Sequence, residues 1–99
     1  SMTIENNLIG LKIDVEGHEE YVLRGGENML VQHKPWIVIE FNARYTGVRK
    51  LSNWNVHLFL INIGYISNYP ENDTIQEDVC LDILYFNPYY HTNISWTQN

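Results

Sequence analysis

Residues Ile13 to Leu30 read IDVEGHEEYVLRGGENML. The apolar run Leu8–Ile13 leads into this stretch. Its near-continuous hydrophobicity is that of a strand buried on both faces of a parallel sheet. Asp14 and Glu16 then fall at and just beyond the carboxyl end of the strand, where open α/β sheets hold their ligands. Gly17 ends the strand. Glu16, Glu19 and Glu20 crowd the following turn, where carboxylates complement the positive end of a helix dipole. Glu20 and Arg24 stand four residues apart and can pair on the exposed side of that helix. Tyr21, Val22 and Leu23 supply its buried side. Gly25-Gly26 breaks it, because glycine inside a helix costs about 1 kcal/mol relative to alanine. A second short helical segment, Glu27–His33, turns Met29 and Leu30 inward.

Pro35 marks the exit, and Trp36–Phe41 is a second strand, nearly all apolar and β-branched. A strand–helix–strand connection of this length predicts a right-handed parallel crossover. Asn42–Val48 reads as a loop, and Ser52 or Asn53 as a helix N-cap. Trp54, Leu58 and Ile61, with Val56, Leu60 and Ile63, give a helix-period apolar face over Asn53–Ile63. The abundance of β-branched and aromatic residues leaves a strand over Val56–Ile63 as the alternative. Gly64 is the helix stop. Tyr65–Tyr69 follows as a short strand, Pro70–Asp78 as a polar, acidic loop, and Val79–Phe86 as a last strand. The short connection makes that strand antiparallel to its predecessor. The predicted fold class is α/β. Residues 1–7 read as a frayed polar tail, 8–88 as one domain, and 89–99 as a tail whose Tyr89, Tyr90, Ile94 and Trp96 can dock on the body.

Composition narrows the function. At 99 residues with 44% hydrophobic content, the chain is one small domain with enough apolar side chains for a core. Its net charge is −6 and it has no Lys/Arg cluster, which argues against nucleic acid and anionic membrane surfaces as partners. No apolar stretch approaches the ~20 residues of a membrane helix, and no signal peptide is visible. Cys80 is the single cysteine, so no internal disulfide forms, and a reduced, cytoplasmic location fits. Cys80 itself reads as a small buried hydrophobe. His33, His57 and His91 have no ligand spacing with one another or with Cys80, so no zinc site is expected.

Several elements then fall into one order: Ile13-Asp14-Val15-Glu16-Gly17-His18-Glu19, Val22-Leu23-Arg24-Gly25, Leu30, Lys34-Pro35 and Ile39-Glu40. In order and spacing this resembles the C-terminal half of the FkbM family of S-adenosylmethionine-dependent methyltransferases. His18 and Gly26 depart from the small residue and alanine usual there. The close likeness covers residues 8–41, and a weaker one runs to about residue 87. The resemblance implies a partial Rossmann-like methyltransferase sheet. Leu8–Asp14 would be its fourth strand, Trp36–Phe41 its fifth, Tyr65–Tyr69 its sixth and Val79–Phe86 an antiparallel seventh, in the spatial order 4-5-7-6 with flanking helices. Family members hold the cofactor with a glycine-rich turn after the first strand and an acidic residue after the second. Neither is found ahead of Leu8, and Gly25-Gly26 is no substitute because it follows a helix.

The resemblance also implies roles. Asp14 and Glu16 become the catalytic carboxylates, Asp14 also a cofactor contact, and Glu19, Glu40 and Asn42 the residues facing an acceptor substrate. A carboxylate at such a strand end can orient or deprotonate an acceptor hydroxyl. The bland alternative is that Asp14 fixes the strand-to-helix turn while Glu16 and Glu19 serve the helix terminus. A magnesium site from Asp14, Glu40 and Asn42 is a weaker analogy, and no metal is expected. The implied activity is O-methyl transfer from S-adenosylmethionine to a sugar or other small-molecule hydroxyl, with the chain alone expected not to bind the cofactor and to be inactive. The competing readings are a non-catalytic homo-oligomeric interaction domain and a folded gene fragment. Loss of the front strands leaves the Leu8–Ile13 edge unpaired, which predicts a homodimer joined along this strand or by exchanged elements.

Overall fold

A computed structural model of the chain describes residues 2–4, 10–13 and 19–88. It is a mixed α/β domain built on a five-stranded sheet. In chain order the elements are β1 (Met2–Ile4), β2 (Gly10–Ile13), α1 (Glu19–Gly25), α2 (Glu27–His33), β3 (Trp36–Asn42), α3 (Ala43–Thr46), a 3-10 turn at Leu51–Asn53, α4 (Asn55–Asn62), β4 (Ile66–Ser67) and β5 (Cys80–Phe86). The strand order is β1-β2-β3-β5-β4. β2 and β3 are parallel, with Leu11 opposite Ile37 and Ile13 opposite Ile39. β5 lies antiparallel between β3 and β4.

One face of the sheet is the core. Leu11, Ile13, Ile37, Ile39, Phe41, Ile83 and Tyr85 are buried together with Leu23 of α1, Leu30 of α2 and Leu60 of α4. The side-chain period of two turns the alternate residues the other way. Lys12, Glu40, Cys80 and Asp82 are exposed on that second face, and Trp36, Val38 and Leu84 are half-buried. Gly10 is required at one point of it. A Cβ there would lie 2.3 Å from Cζ2 of Trp36, whose indole covers the β2–β3 seam. Gly10→Ala is therefore expected to push the indole off the seam and cost about 1–3 kcal/mol of stability. Urea unfolding of the variant checks this, and an unchanged midpoint would contradict the packing.

Several expectations need correction. The edge of β2 is not left unpaired. Met2–Ile4, expected to fray, pairs with it antiparallel, Thr3 opposite Lys12. That pairing satisfies the edge and removes the basis for a dimer along β2. The stretch Asn42–Val48, expected as loop, contains the helical turn α3. The Asn42 side chain caps it by accepting from the Tyr45 N–H at 2.8 Å, and Gly47 closes it at φ 72°. α4 is a helix, and its N-cap is Trp54 in place of Ser52 or Asn53, because Leu51–Asn53 is wound into the preceding turn. Leu58 and Ile61, expected inward, are exposed, as is Tyr21 of α1. In α4 the buried stripe runs instead through Val56, His57, Phe59 and Leu60. Cys80 is also exposed. It opens β5 on the outward face, opposite Asn42. The loop Pro70–Asp78 is not wholly polar: Ile75 plugs the core and donates its N–H to the Arg49 carbonyl at 2.7 Å. The tail 89–99, Trp96 included, lies outside the described residues.

Candidate functional site

The carboxyl ends of β2 and β3 point the same way, and the described chain forms a cleft of about 330 Å³ beside the end of β3. Three segments build it. α1 contributes Glu20, α3 contributes Tyr45 and Thr46, and the approach to α4 contributes Asn53, Trp54 and Asn55. Trp54 is its fixed wall, 6% exposed and packed edge-on against Phe41 with ring centroids 4.8 Å apart. Tyr45 is its open wall, 68% exposed. Glu20 is held by Arg24 at 2.9 Å, the pair expected from their spacing, and Arg24 also stands over the Phe59 ring. The exit of α3 is tied down as well. The Ala43 carbonyl accepts from Gly47 N–H and from the Arg49 guanidinium, both at 3.0 Å, and Thr46 Oγ1 accepts from Val48 N–H.

The cleft thus offers two carboxamides, the Tyr45 hydroxyl, a carboxylate paired with Arg24 and aromatic surface, with the Thr46 hydroxyl held by Ala43 and Val48 and no lysine or arginine in its lining. That chemistry suits a neutral ligand bearing hydroxyl groups and does not suit a phosphate.

Of the expected site residues, Asp14 and Glu16 lie outside the described residues, and Glu19 is described only as the first residue of α1. Glu40 lines a smaller recess of about 150 Å³ with Lys12, Ile13 and Asp82. Its cross-strand neighbour is Asp82, a like-charge pair that the sequence did not reveal. Asn42 spends its side-chain oxygen on the cap of α3. Among the described residues no group of three His, Cys, Asp or Glu is placed to hold a metal ion.

The least anticipated feature is a polar chain through the core. His57 is 1% exposed. Its Nδ1 lies 2.8 Å from the Tyr85 hydroxyl and its Nε2 lies 2.7 Å from Oε1 of Glu71. The ionised carboxylate can only accept, so Nε2 carries a proton; in the neutral imidazole Nδ1 is then the acceptor and the Tyr85 hydroxyl the donor. The available signal was a histidine inside an apolar helical stripe, but its partners come from a strand and a loop distant in sequence.

The chain is thus a mixed α/β domain with a polar cleft beside the end of a parallel strand. The family model of the methyltransferase FkbM domain matches residues 3–74. The chain belongs to that family, whose members generally depend on S-adenosylmethionine. No curated protein and no solved structure matches the chain. In the described residues the glycines do other work than cradling a nucleoside. Gly10 sits under Trp36, Gly25 ends α1, Gly26 separates it from α2, Gly47 closes α3, and Gly64 turns the chain at φ 104° after α4. Among the described residues no glycine directly follows a parallel strand, the place of a nucleoside cradle. No helix among them is long and apolar enough to cross a membrane.

Proposed function

We propose that this chain is the acceptor-side portion of an S-adenosylmethionine-dependent O-methyltransferase of small-molecule or sugar hydroxyls. β2, β3, β5 and β4 take the parts of the fourth, fifth, seventh and sixth strands of the Rossmann-like methyltransferase sheet. The observation that carries the reading is β5, antiparallel and inserted between the like-directed β3 and β4, in a chain of this family. On this reading Asp14 and Glu16, at and just past the end of β2, accept the proton of the acceptor hydroxyl. Glu19 and Asn42 border the acceptor near the end of β3, Asn42 through its amide N–H groups because its oxygen caps α3, and the cleft under Tyr45 takes the acceptor's body. Glu40 opens to the separate recess on the outward face and would act only on a part of the acceptor that reaches over the strand end. The donor cradle comes from a segment or chain supplying the front strands, and without it this chain is inactive.

Calorimetry with S-adenosylmethionine tests the division of labour. The 99-residue chain alone is expected to show no binding in the micromolar range. Micromolar affinity would show that the chain carries its own donor site. A second reading, a self-associating domain without catalysis, is favoured by the half-buried Trp36, Val38 and Leu84 on the outward sheet face. Sedimentation of the same sample separates the two, since a stable homodimer with no cofactor binding supports the second.

A further inference from the structure

The Glu71–His57–Tyr85 chain ends at the surface beside a second groove, between the C-terminal half of α4 and β4. Its volume is about 310 Å³, at the small end of the range for small-molecule pockets. Ile61 and Ile66 form apolar walls, 38% and 42% exposed, and Tyr69 packs behind them against the core. The Ser67 hydroxyl is committed to the Tyr69 carbonyl at 2.7 Å. The one charged group in the lining is Glu71.

Glu71 is held from two directions. Its backbone carbonyl accepts from Ser52 N–H at 3.0 Å, and its Oε1 accepts from the buried imidazole. Among the described residues nothing hydrogen-bonds its other carboxylate oxygen, and its side chain is 51% exposed. An apolar residue at position 57 would fill the core without any polar requirement. Instead a donor–acceptor chain crosses the core and fixes one carboxylate at the rim of an apolar groove. A charge fixed in this way loses little freedom on binding, which favours affinity.

We infer that this groove binds a small organic ammonium ion, with the ammonium on Glu71 and the hydrocarbon stem against Ile61, Ile66 and Tyr69. The net charge of −6 draws cations toward the protein. This site is independent of the acceptor cleft and of the methyltransferase reading.

Titration of n-butylammonium chloride into the whole chain, followed by two-dimensional NMR, tests the inference. Saturable shifts are expected at Ile61, Ile66, Tyr69 and Glu71, and n-butanol should not reproduce them. Glu71→Gln keeps an oxygen for His57 and removes the charge, so binding should weaken about tenfold. Ile66→Lys, at an exposed position, leaves the His57 chain untouched and places a competing ammonium in the groove, so it should also abolish the shifts. The inference is overturned if both variants bind like the parent, if butanol gives the same shifts, or if the shifts scatter over the acidic surface.

Discussion

Replacing His57 by alanine is expected to lower the unfolding free energy by roughly 3–5 kcal/mol. Two effects combine. The lost imidazole leaves a void between α4 and the sheet, in the layer closed by Val56, Phe59 and Leu60. The Tyr85 hydroxyl, on a residue 0% exposed, also loses the acceptor for its proton. An orphaned buried donor alone costs about 1–3 kcal/mol. Against the roughly 5–15 kcal/mol total of an ordinary domain, His57→Ala removes a large share. Tyr85→Phe should cost less, about 1–3 kcal/mol, since it removes no comparable volume and strands only Nδ1. Glu71→Gln should cost least, because the carboxylate is half-exposed and the amide oxygen still accepts. Urea unfolding of the singles and of the His57→Ala, Tyr85→Phe double variant measures the coupling, expected at about 0.5–3 kcal/mol. A loss below about 1 kcal/mol in His57→Ala would mean that the chain of hydrogen bonds does not hold in solution.

The second large effect is alkaline unfolding. Burial pushes the phenols of Tyr65 and Tyr85 well above the usual tyrosine range, and for Tyr85 the negative charge of Glu71 adds to the rise. Tyr65 donates to the Pro35 carbonyl and Tyr85 to His57, so each proton is in use. In the unfolded chain both phenols ionise near about pH 10, while in the folded chain they remain protonated. Above that pH the folded state binds more protons than the unfolded state, and stability falls as pH rises. The stabilisation is whole below the unfolded value and is lost progressively above it. The slope is about 1.4 kcal/mol per pH unit for each tyrosine, about 2.7 for the pair. At that slope a stability of about 5 kcal/mol is exhausted about two pH units above the unfolded phenol value, so cooperative unfolding is expected in strong alkali. The exposed tyrosines such as Tyr21 and Tyr45 ionise first, and the last tyrosinate absorbance is expected to rise together with the loss of helical circular dichroism. Tyr65→Phe should roughly halve the slope. Ionisation of all seven phenols with the helical circular dichroism unchanged would show that the rings of Tyr65 and Tyr85 reach solvent.

Much of the framework was legible along the chain. The break at Gly25-Gly26, the strand after Pro35 and the antiparallel last strand all rest on local signals: glycine in a helix, β-branched runs and loop length. The edge pairing of Met2–Ile4 was not legible, because a three-residue polar-flanked strand has no pattern of its own and forms only against a partner. Tyr21, Leu58, Ile61 and Cys80 were misplaced for a related reason. A helix or strand period says which residues share a face, while the neighbouring elements decide which face is covered.

The candidate site divides in the same way. The chain's own residues announce a carboxylate-rich turn after an apolar strand and carry the family pattern, because those depend on neighbours in sequence. They do not announce the cleft under Tyr45 and Trp54 or the Glu40–Asp82 pair. Nor do they reveal the run of hydrogen bonds from Glu71 to Tyr85, which joins a loop, a helix and a strand. Composition and order thus determined an acidic α/β domain with a parallel crossover. Tertiary packing alone decided which polar groups meet, since a buried donor settles wherever the fold brings it an acceptor.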